Sequence, residues 1–187
     1  MEISLIRHGK SKFTDSHRIT VNEFNNWVKN YDDKGVFEED FYPQETLIKI
    51  QSANMVMASD LKRSIESAKL LHQAIKITSI PIFRETELPI PLVKGVKLNP
   101  SIWALILRCL WFMGYSKDCE SIFNAKRRAQ KAAQLLIEHA QEHNSIALVG
   151  HGFFNMLIAK ELLKNGWIGK RKTSSKHWNC TTYYFNT

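Results

Sequence analysis

Cysteine is scarce in this chain of 187 residues, and several features that would assign it to a specialised class are missing. Cys109, Cys119 and Cys180 are an odd number without close spacing, which argues against a disulfide framework or a zinc knuckle. A reducing compartment is the simpler explanation. The N-terminus also lacks a basic leader followed by a long apolar segment and a cleavage site, so we expect a cytoplasmic protein.

A hydrophobic run of membrane-spanning length is missing as well. The most apolar stretch, "SIWALILRCLWFMGY" at residues 101–115, is shorter than the roughly 20 residues that cross a bilayer, and Arg108 lies in its middle. We interpret it as an apolar helix in a cap over the core and expect no membrane partner. The alternatives are attachment at a membrane interface or a groove for a partner. Internal repeats and low-complexity tracts are also absent from the sequence.

The composition that remains is typical of a globular protein, with 44% hydrophobic and 24% charged residues. A formal net charge of +8 raises the local concentration of anions but does not select among them. Lys and Arg are spread along the chain, apart from short clusters at residues 126–128 and 170–172. Spread charge is typical of a solvated surface, so no nucleic-acid partner is expected.

Hydrophobic periodicity predicts an α/β protein. Five segments are predicted to be strands: residues 2–6, 53–59, 78–83, 145–150 and 177–185. Apolar residues recur at helical spacing over residues 60–75, 121–142 and 151–166. Strands alternating with helices predict a single domain of three layers, with helices on both faces of a mostly parallel sheet. Residues 88–120 are interpreted as an insertion that forms a cap, and residues 13–46 show no clear periodicity.

Cationic side chains follow three of the predicted strands. Arg7 and His8 end the first strand, Arg63 lies one turn into the helix after the second, and His151 follows residues 145–150. Ligands of open parallel sheets bind at the carboxyl ends of the strands, so these side chains are predicted to converge. Guanidinium groups and a helix N-terminus both favour phosphate oxygens. The sequence therefore predicts a phosphate site.

Three motifs resemble those of the histidine phosphatase superfamily. They are "LIRHGKS" at residues 5–11, "ASDLKRSIESAKLL" at 58–71 and "ALVGHGFFN" at 147–155. The resemblance implies a phosphatase without cofactor or metal, in which His8 attacks phosphorus and becomes phosphohistidine. It further implies that Arg7, Arg63 and His151 hold the phosphate oxygens. His8 must then be neutral, and the two arginines are expected to lower its pKa. A backbone carbonyl could hold the other ring N–H and fix the tautomer.

The same resemblance implies a carboxylic acid after the third strand. In "FRETELP" at residues 83–89 the family pattern favours Glu85 as the acid that protonates the leaving group, with Glu87 as the alternative. After Arg-His-Gly the family often has Glu or Gln, then Thr and, three positions later, Asn. Here Lys10, Ser11 and Thr14 take these positions, and we expect Ser11 and Thr14 to contact phosphate.

The substrate is expected to be a phosphorylated small molecule or a phosphoprotein. A phosphohistidine phosphatase in signalling and a phosphate-binding pseudoenzyme are the alternatives. The family's mutase signature around the acid, Glu-Arg-x-Tyr-Gly, is absent, because Glu85 is followed by Thr-Glu-Leu-Pro, and this disfavours a mutase. A metal site at His8, His151 and Glu85 is opposed by the adjacent arginines. The remaining histidines are interpreted as ordinary polar residues: His17, His72, His139, His143 and His177.

Overall fold

A six-stranded sheet forms the centre of the computed structural model, which describes residues 1–74, 76–93 and 95–186. The strands are β1 (Glu2–Arg7), β2 (Met55–Ala58), β3 (Ile77–Ser79), β4 (Ser145–Gly150), β5 (Ile168–Gly169) and β6 (Cys180–Tyr184). Their order is β3-β2-β4-β1-β6-β5. The first four in that order run parallel, while β6 is antiparallel to β1 and β5 to β6. The predicted α/β class is confirmed.

Helices cover both faces of this sheet. They are α1 (Val21–Asp33), α2 (Gln44–Gln51), α3 (Lys62–Leu71), α4 (Pro100–Phe112), α5 (Ile122–His143) and α6 (Gly152–Lys164). Successive residues of β4 face opposite sides, as the pleat requires. Ile146 and Leu148 pack with α5 and α6, whereas Ala147 and Val149 pack with α2 and α3. Burial on both faces explains why residues 145–150 are apolar without alternation.

A third apolar cluster is separate from the clusters on the two faces of the sheet, and it joins α1 to α4. Val21 and Phe24 of α1 pack there against Trp103 and Leu107 of α4. Two segments fitted the predicted alternation of strands and helices poorly, and they are residues 13–46 and 88–120. They pack against each other through α1 and α4. None of the helices in the described part of the chain is both long and apolar enough to cross a membrane.

Three local predictions differ from the structure. The strand predicted at residues 78–83 ends at Ser79, because Pro81, which has no N–H for the ladder, begins a short 3₁₀-helix instead. The helix predicted at residues 60–75 ends at Leu71, and Ile75 lies outside the described residues. Residues 13–46, which showed no clear periodicity, contain the whole of α1.

Candidate active site

The carboxyl ends of β1, β4 and β2 lie side by side, so the three motifs meet as the sequence predicts. Arg7 is in register with Gly150 of β4, and Ala58 of β2 is in register with Val149. The backbone N–H of His8 donates to the Gly150 carbonyl at 3.0 Å. Adjacent parallel strands thus bring segments from three distant parts of the chain to one edge of the sheet.

The ring of His8 is held in one tautomer. Its Nδ1 lies 2.7 Å from the carbonyl oxygen of Gly9, which can only accept, so Nδ1 carries the proton. Its Nε2 lies 3.2 Å from Nε of Arg63, whose N–H donates to it. Nε2 therefore presents a lone pair. Burial, with the charge of Arg63 next in size, lowers the pKa of His8 well below 6.5 and keeps the ring neutral.

Gly9 sets the path of the loop that carries His8. A Cβ on Gly9 would lie 2.0 Å from the indole ring of Trp178, so only glycine allows this approach. The Gly9 N–H donates to Oγ of Ser67 at 2.8 Å, and that hydroxyl donates to the Arg63 carbonyl at 2.6 Å. Helix α3 and the loop after β1 are therefore fixed to each other.

Arg63 is buried between α1 and the loop after β1. Besides its contact with His8, its guanidinium pairs with the Asp32 carboxylate and lies 5.3 Å from the ring centroid of Tyr31. Tyr31 and Asp32 are in the last turn of α1. Burial raises the pKa of Asp32, and the charge of Arg63 opposes that rise. An anion thus already contacts the arginine assigned to phosphate.

Arg7 and His151 each present a buried nitrogen without a partner among the described residues: Nε of Arg7 and Nδ1 of His151. Arg7 donates through Nη1 to the Ser175 carbonyl. His151 is fully buried, and its Nε2 lies 2.7 Å from Oγ of Ser59. Burial, then the charge of Arg63, lowers its pKa well below 6.5. The rings of His8 and His151 are 5.1 Å apart between centroids.

The two candidate acids occupy different environments. Glu85 accepts hydrogen bonds from the backbone N–H groups of Phe153 at 3.0 Å and Phe154 at 2.9 Å, in the first turn of α6 directly after His151. A carboxylate at a helix N-terminus is stabilised by these free donors and by the dipole. Glu87 is exposed and accepts from the N–H of Glu120 at 3.2 Å. Glu85, not Glu87, therefore lies beside His151.

Ser11 and Thr14 are the residues assigned to additional phosphate contacts, and that role stays a prediction. The hydroxyl of Ser11 is buried and donates to the Tyr31 carbonyl at 3.0 Å, which ties the end of α1 to the loop after His8. Thr14 and Lys10 are exposed. No side-chain hydrogen bond joins Thr14 to Arg7, His8 or the other predicted site residues in the described part of the chain.

Sequence reasoning missed His177, which lies in the loop before β6. Its Nδ1 donates to the His8 carbonyl at 2.9 Å, and the two rings are 5.4 Å apart between centroids. Burial, followed by the charge of Arg7, lowers its pKa. Interpretation of His177 as an ordinary polar residue thus overlooked a neighbour of His8. No local motif marks it, since the pairing of β6 with β1 alone brings it there.

A cluster of three side chains that could bind a metal ion does occur in the described part of the chain, but it lies away from this site. His139, Glu142 and His143 lie at the end of α5, which leads into the start of β4 rather than its carboxyl end. The expectation that the site holds no metal stays a prediction.

Comparison with solved structures shows the same fold in several enzymes. The chain matches phosphoglycerate mutase from Bacillus anthracis with a TM-score of 0.62 and 16% identity, over 97% of this chain and 86% of the other. It matches alpha-ribazole phosphatase from Shigella flexneri with a TM-score of 0.56 and 16% identity, over 100% and 91%. It matches phosphoserine phosphatase from Entamoeba histolytica with a TM-score of 0.53 and 19% identity, over 99% and 91%.

At these identities the structural matches establish the fold alone. No curated protein sequence matches the chain significantly. A family model, described as histidine phosphatase superfamily (branch 1), matches residues 45–185. That span contains Arg63, Glu85 and His151, and it leaves His8 outside. The model covers well over half of the sequence, and the chain therefore belongs to the histidine phosphatase superfamily, branch 1.

Proposed function

We propose that this protein is a phosphatase that hydrolyses a phosphomonoester of a small molecule through a phosphohistidine on His8, without a metal. The observation that carries the proposal is the state of the His8 ring. The Gly9 carbonyl fixes the proton on Nδ1, so Nε2 is left as a nucleophile. Burial and Arg63 lower its pKa, so the ring is neutral at pH 7. A neutral, oriented imidazole is what attack on phosphorus requires.

The buried nitrogens without partners support an anion site beside this nucleophile. Nε of Arg7 and Nδ1 of His151 are the free groups that we assign to non-bridging phosphate oxygens. Arg63 is the third group, and substrate must displace both Asp32 and His8 Nε2 from its guanidinium. Positive charge placed before the reaction stabilises the oxygens as charge redistributes in transfer.

The proposed reaction has two steps. Nε2 of His8 forms a bond to phosphorus as the P–O ester bond breaks, and Glu85 gives the leaving alkoxide its proton. Water then attacks the phosphohistidine as the Glu85 carboxylate takes a proton from it. The P–N bond breaks, and inorganic phosphate leaves. Glu85 is positioned for both steps, because the backbone N–H groups of Phe153 and Phe154 hold its carboxyl group next to His151.

Burial of the nucleophile favours a small substrate over a protein. His8 is only 3% exposed, with Tyr31 and Asp32 of α1 beside it and Arg63. A folded phosphoprotein would have to displace more of α1 than a metabolite would. Relatives of the same fold include alpha-ribazole and phosphoserine phosphatases, which supports the same substrate class.

Trapping the covalent intermediate tests the proposal. Enzyme mixed with radiolabelled para-nitrophenyl phosphate and quenched in base should retain label that acid removes. His8→Ala should retain none, whereas His177→Gln, which alters a neighbouring ring, should retain it. Turnover should also be unchanged in excess EDTA. Label on His8→Ala at the wild-type level, or loss of activity in EDTA that a divalent metal restores, would refute the mechanism.

A further inference from the structure

The outer face of α4 exposes a continuous row of large apolar side chains. Its members are Ile102, Leu105, Ile106, Phe112 and Met113, with Cys109 between them. Their spacing of three and four residues places them on one side of the helix. Leu105 is 66% exposed and Met113 74% exposed. Single exposed apolar residues are common on protein surfaces, but a contiguous row on one helix marks an interaction surface.

The opposite face of α4 already packs against the rest of the protein, so the exposed row is a second apolar face of this helix. Trp103 and Leu107 are buried against α1, and Trp111 is buried in the main core. Arg108 does not interrupt the row. Its guanidinium turns inward and donates to the hydroxyl of Thr86 at 2.6 Å and to its carbonyl at 3.1 Å.

The segment that carries the row has charged residues of one sign only. Residues 88–117 contain no Asp or Glu, and the nearest acids in the sequence are Glu87 and Asp118. Lys97, shortly before α4, and Lys117, shortly after it, are both exposed. The Ile90 N–H donates to the Lys117 carbonyl at 3.3 Å, which brings the preceding loop and its exposed Leu92 to the same end of the helix.

We propose that α4 docks on an anionic membrane surface and lies in the plane of the interface. The thirteen residues of α4 span about 20 Å, too short to cross a bilayer but suited to rest at the boundary of headgroups and acyl chains. The apolar row enters that boundary, while Lys97 and Lys117 contact acidic headgroups at the two ends of the helix. This placement takes up the alternative of attachment at a membrane interface, in place of the expectation that there is no membrane partner.

A second copy of the chain is the main competing occupant, and its charge disfavours it. Two copies that pair through this face would bring together two molecules with a net charge of +8 each. Pairing would also bring Lys97 and Lys117 of the two copies close to one another. Repulsion of this kind weakens association, whereas the same charge strengthens binding to an anionic surface.

Flotation with lipid vesicles tests the proposal on the full-length protein. Vesicles of phosphatidylcholine with 30% phosphatidylglycerol should carry the protein, and pure phosphatidylcholine vesicles should carry at least tenfold less. Leu105→Glu and Met113→Glu should each weaken binding at least tenfold. Ile48→Glu is the matched control, since Ile48 is a 54% exposed aliphatic residue on α2. Its binding should stay within twofold of the wild type.

Three outcomes would overturn the proposal. The first is failure of the wild-type protein to float with anionic vesicles. The second is undiminished binding by Leu105→Glu, which would assign binding to basic charge elsewhere. The third is a dimer in sedimentation that Leu105→Glu converts to a monomer, since the row would then be a contact between copies. Circular dichroism checks that each variant is folded.

Discussion

Asp32 pairs with the guanidinium of Arg63, whose Nε also donates to Nε2 of His8 at 3.2 Å. The buried arginine therefore joins a carboxylate on α1 to the proposed nucleophile. Asp32 stands where a phosphate oxygen would bind if Arg63 has the role that we propose. Because two anions cannot share one guanidinium without repulsion, Asp32 should compete with substrate.

Asp32→Asn should tighten the binding of inorganic phosphate. Asparagine keeps the shape and removes the charge, so the inhibition constant of phosphate should fall roughly three- to tenfold, or by about 1 kcal/mol. Asp33→Asn is the matched control, because Asp33 is the exposed next residue. Competitive inhibition of para-nitrophenyl phosphate turnover measures both variants. Weaker phosphate binding by Asp32→Asn would instead assign Asp32 to the positioning of Arg63.

Arg63→Ala should lose more turnover than Arg63→Lys. Alanine removes a transition-state contact of about 3 kcal/mol, or roughly a hundredfold in rate. Lysine restores a point charge but cannot reproduce the planar fork. Arg84→Ala is the control, because Arg84 is already paired with Asp60 at 2.7 Å. Thermal unfolding should show that the variants fold. Wild-type turnover by Arg63→Ala would place the phosphate-binding arginine elsewhere.

Periodicity predicted the sheet core but not α1. Residues 145–150 form a buried strand, and their unbroken apolar run is a strong signal. In α1 the apolar and aromatic residues do recur at three- and four-residue spacing, so the helix was readable but was missed among its many polar residues; they are Val21, Phe24, Trp27, Val28 and Tyr31. Thr20 and Glu23 form a capping box at its start, and a Thr followed three residues later by a Glu was a further readable signal for a helix.

The residues of the candidate site also divide into those that the sequence predicted and those that it did not. Arg7, His8 and His151 follow strands that sit next to each other, so topology alone brings them together. Asp32 and His177 depend on how α1 packs and how β6 pairs with β1, which are long-range contacts without a local signature. Residues fixed by a motif were therefore predictable from the sequence, whereas residues supplied by tertiary packing were not.

Acid should destabilise the fold through the buried histidines. In the folded state the pKa of His8 and of His151 lies well below 6.5. As the pH falls, these histidines therefore bind protons in the unfolded chain at a higher pH than in the folded protein. The free energy of unfolding is thus fully retained above pH 6.5. As the pH falls toward 5 it should decrease by up to about 1.4 kcal/mol per pH unit for each histidine.

Urea unfolding between pH 7.5 and 5 measures this slope. His8→Gln should reduce it, because glutamine does not titrate. A free energy of unfolding that is constant over this range would show that the buried rings do not resist protonation. An unchanged slope in His8→Gln would leave His151 and His177 as the sources.

Glu85 should matter as an acid only when the leaving group needs a proton. An alkoxide leaves poorly without one, whereas para-nitrophenolate is already a weak base. Glu85→Gln should therefore cut turnover of an alkyl phosphate such as glycerol phosphate by roughly a hundredfold or more, and largely spare para-nitrophenyl phosphate. Glutamine keeps one oxygen for the Phe153 and Phe154 N–H groups, so the start of α6 should lose only about 1 kcal/mol.

Glu87→Gln is the matched control for this experiment. Glu87 is exposed and holds the Glu120 N–H, so its variant should keep the turnover of both substrates. Reversal of the two phenotypes would identify Glu87 as the acid. An equal loss of turnover of both substrates in Glu85→Gln would have a different meaning. It would show that the carboxylate holds the N-terminus of α6 and thereby places His151, and that the leaving group takes its proton from another donor such as water.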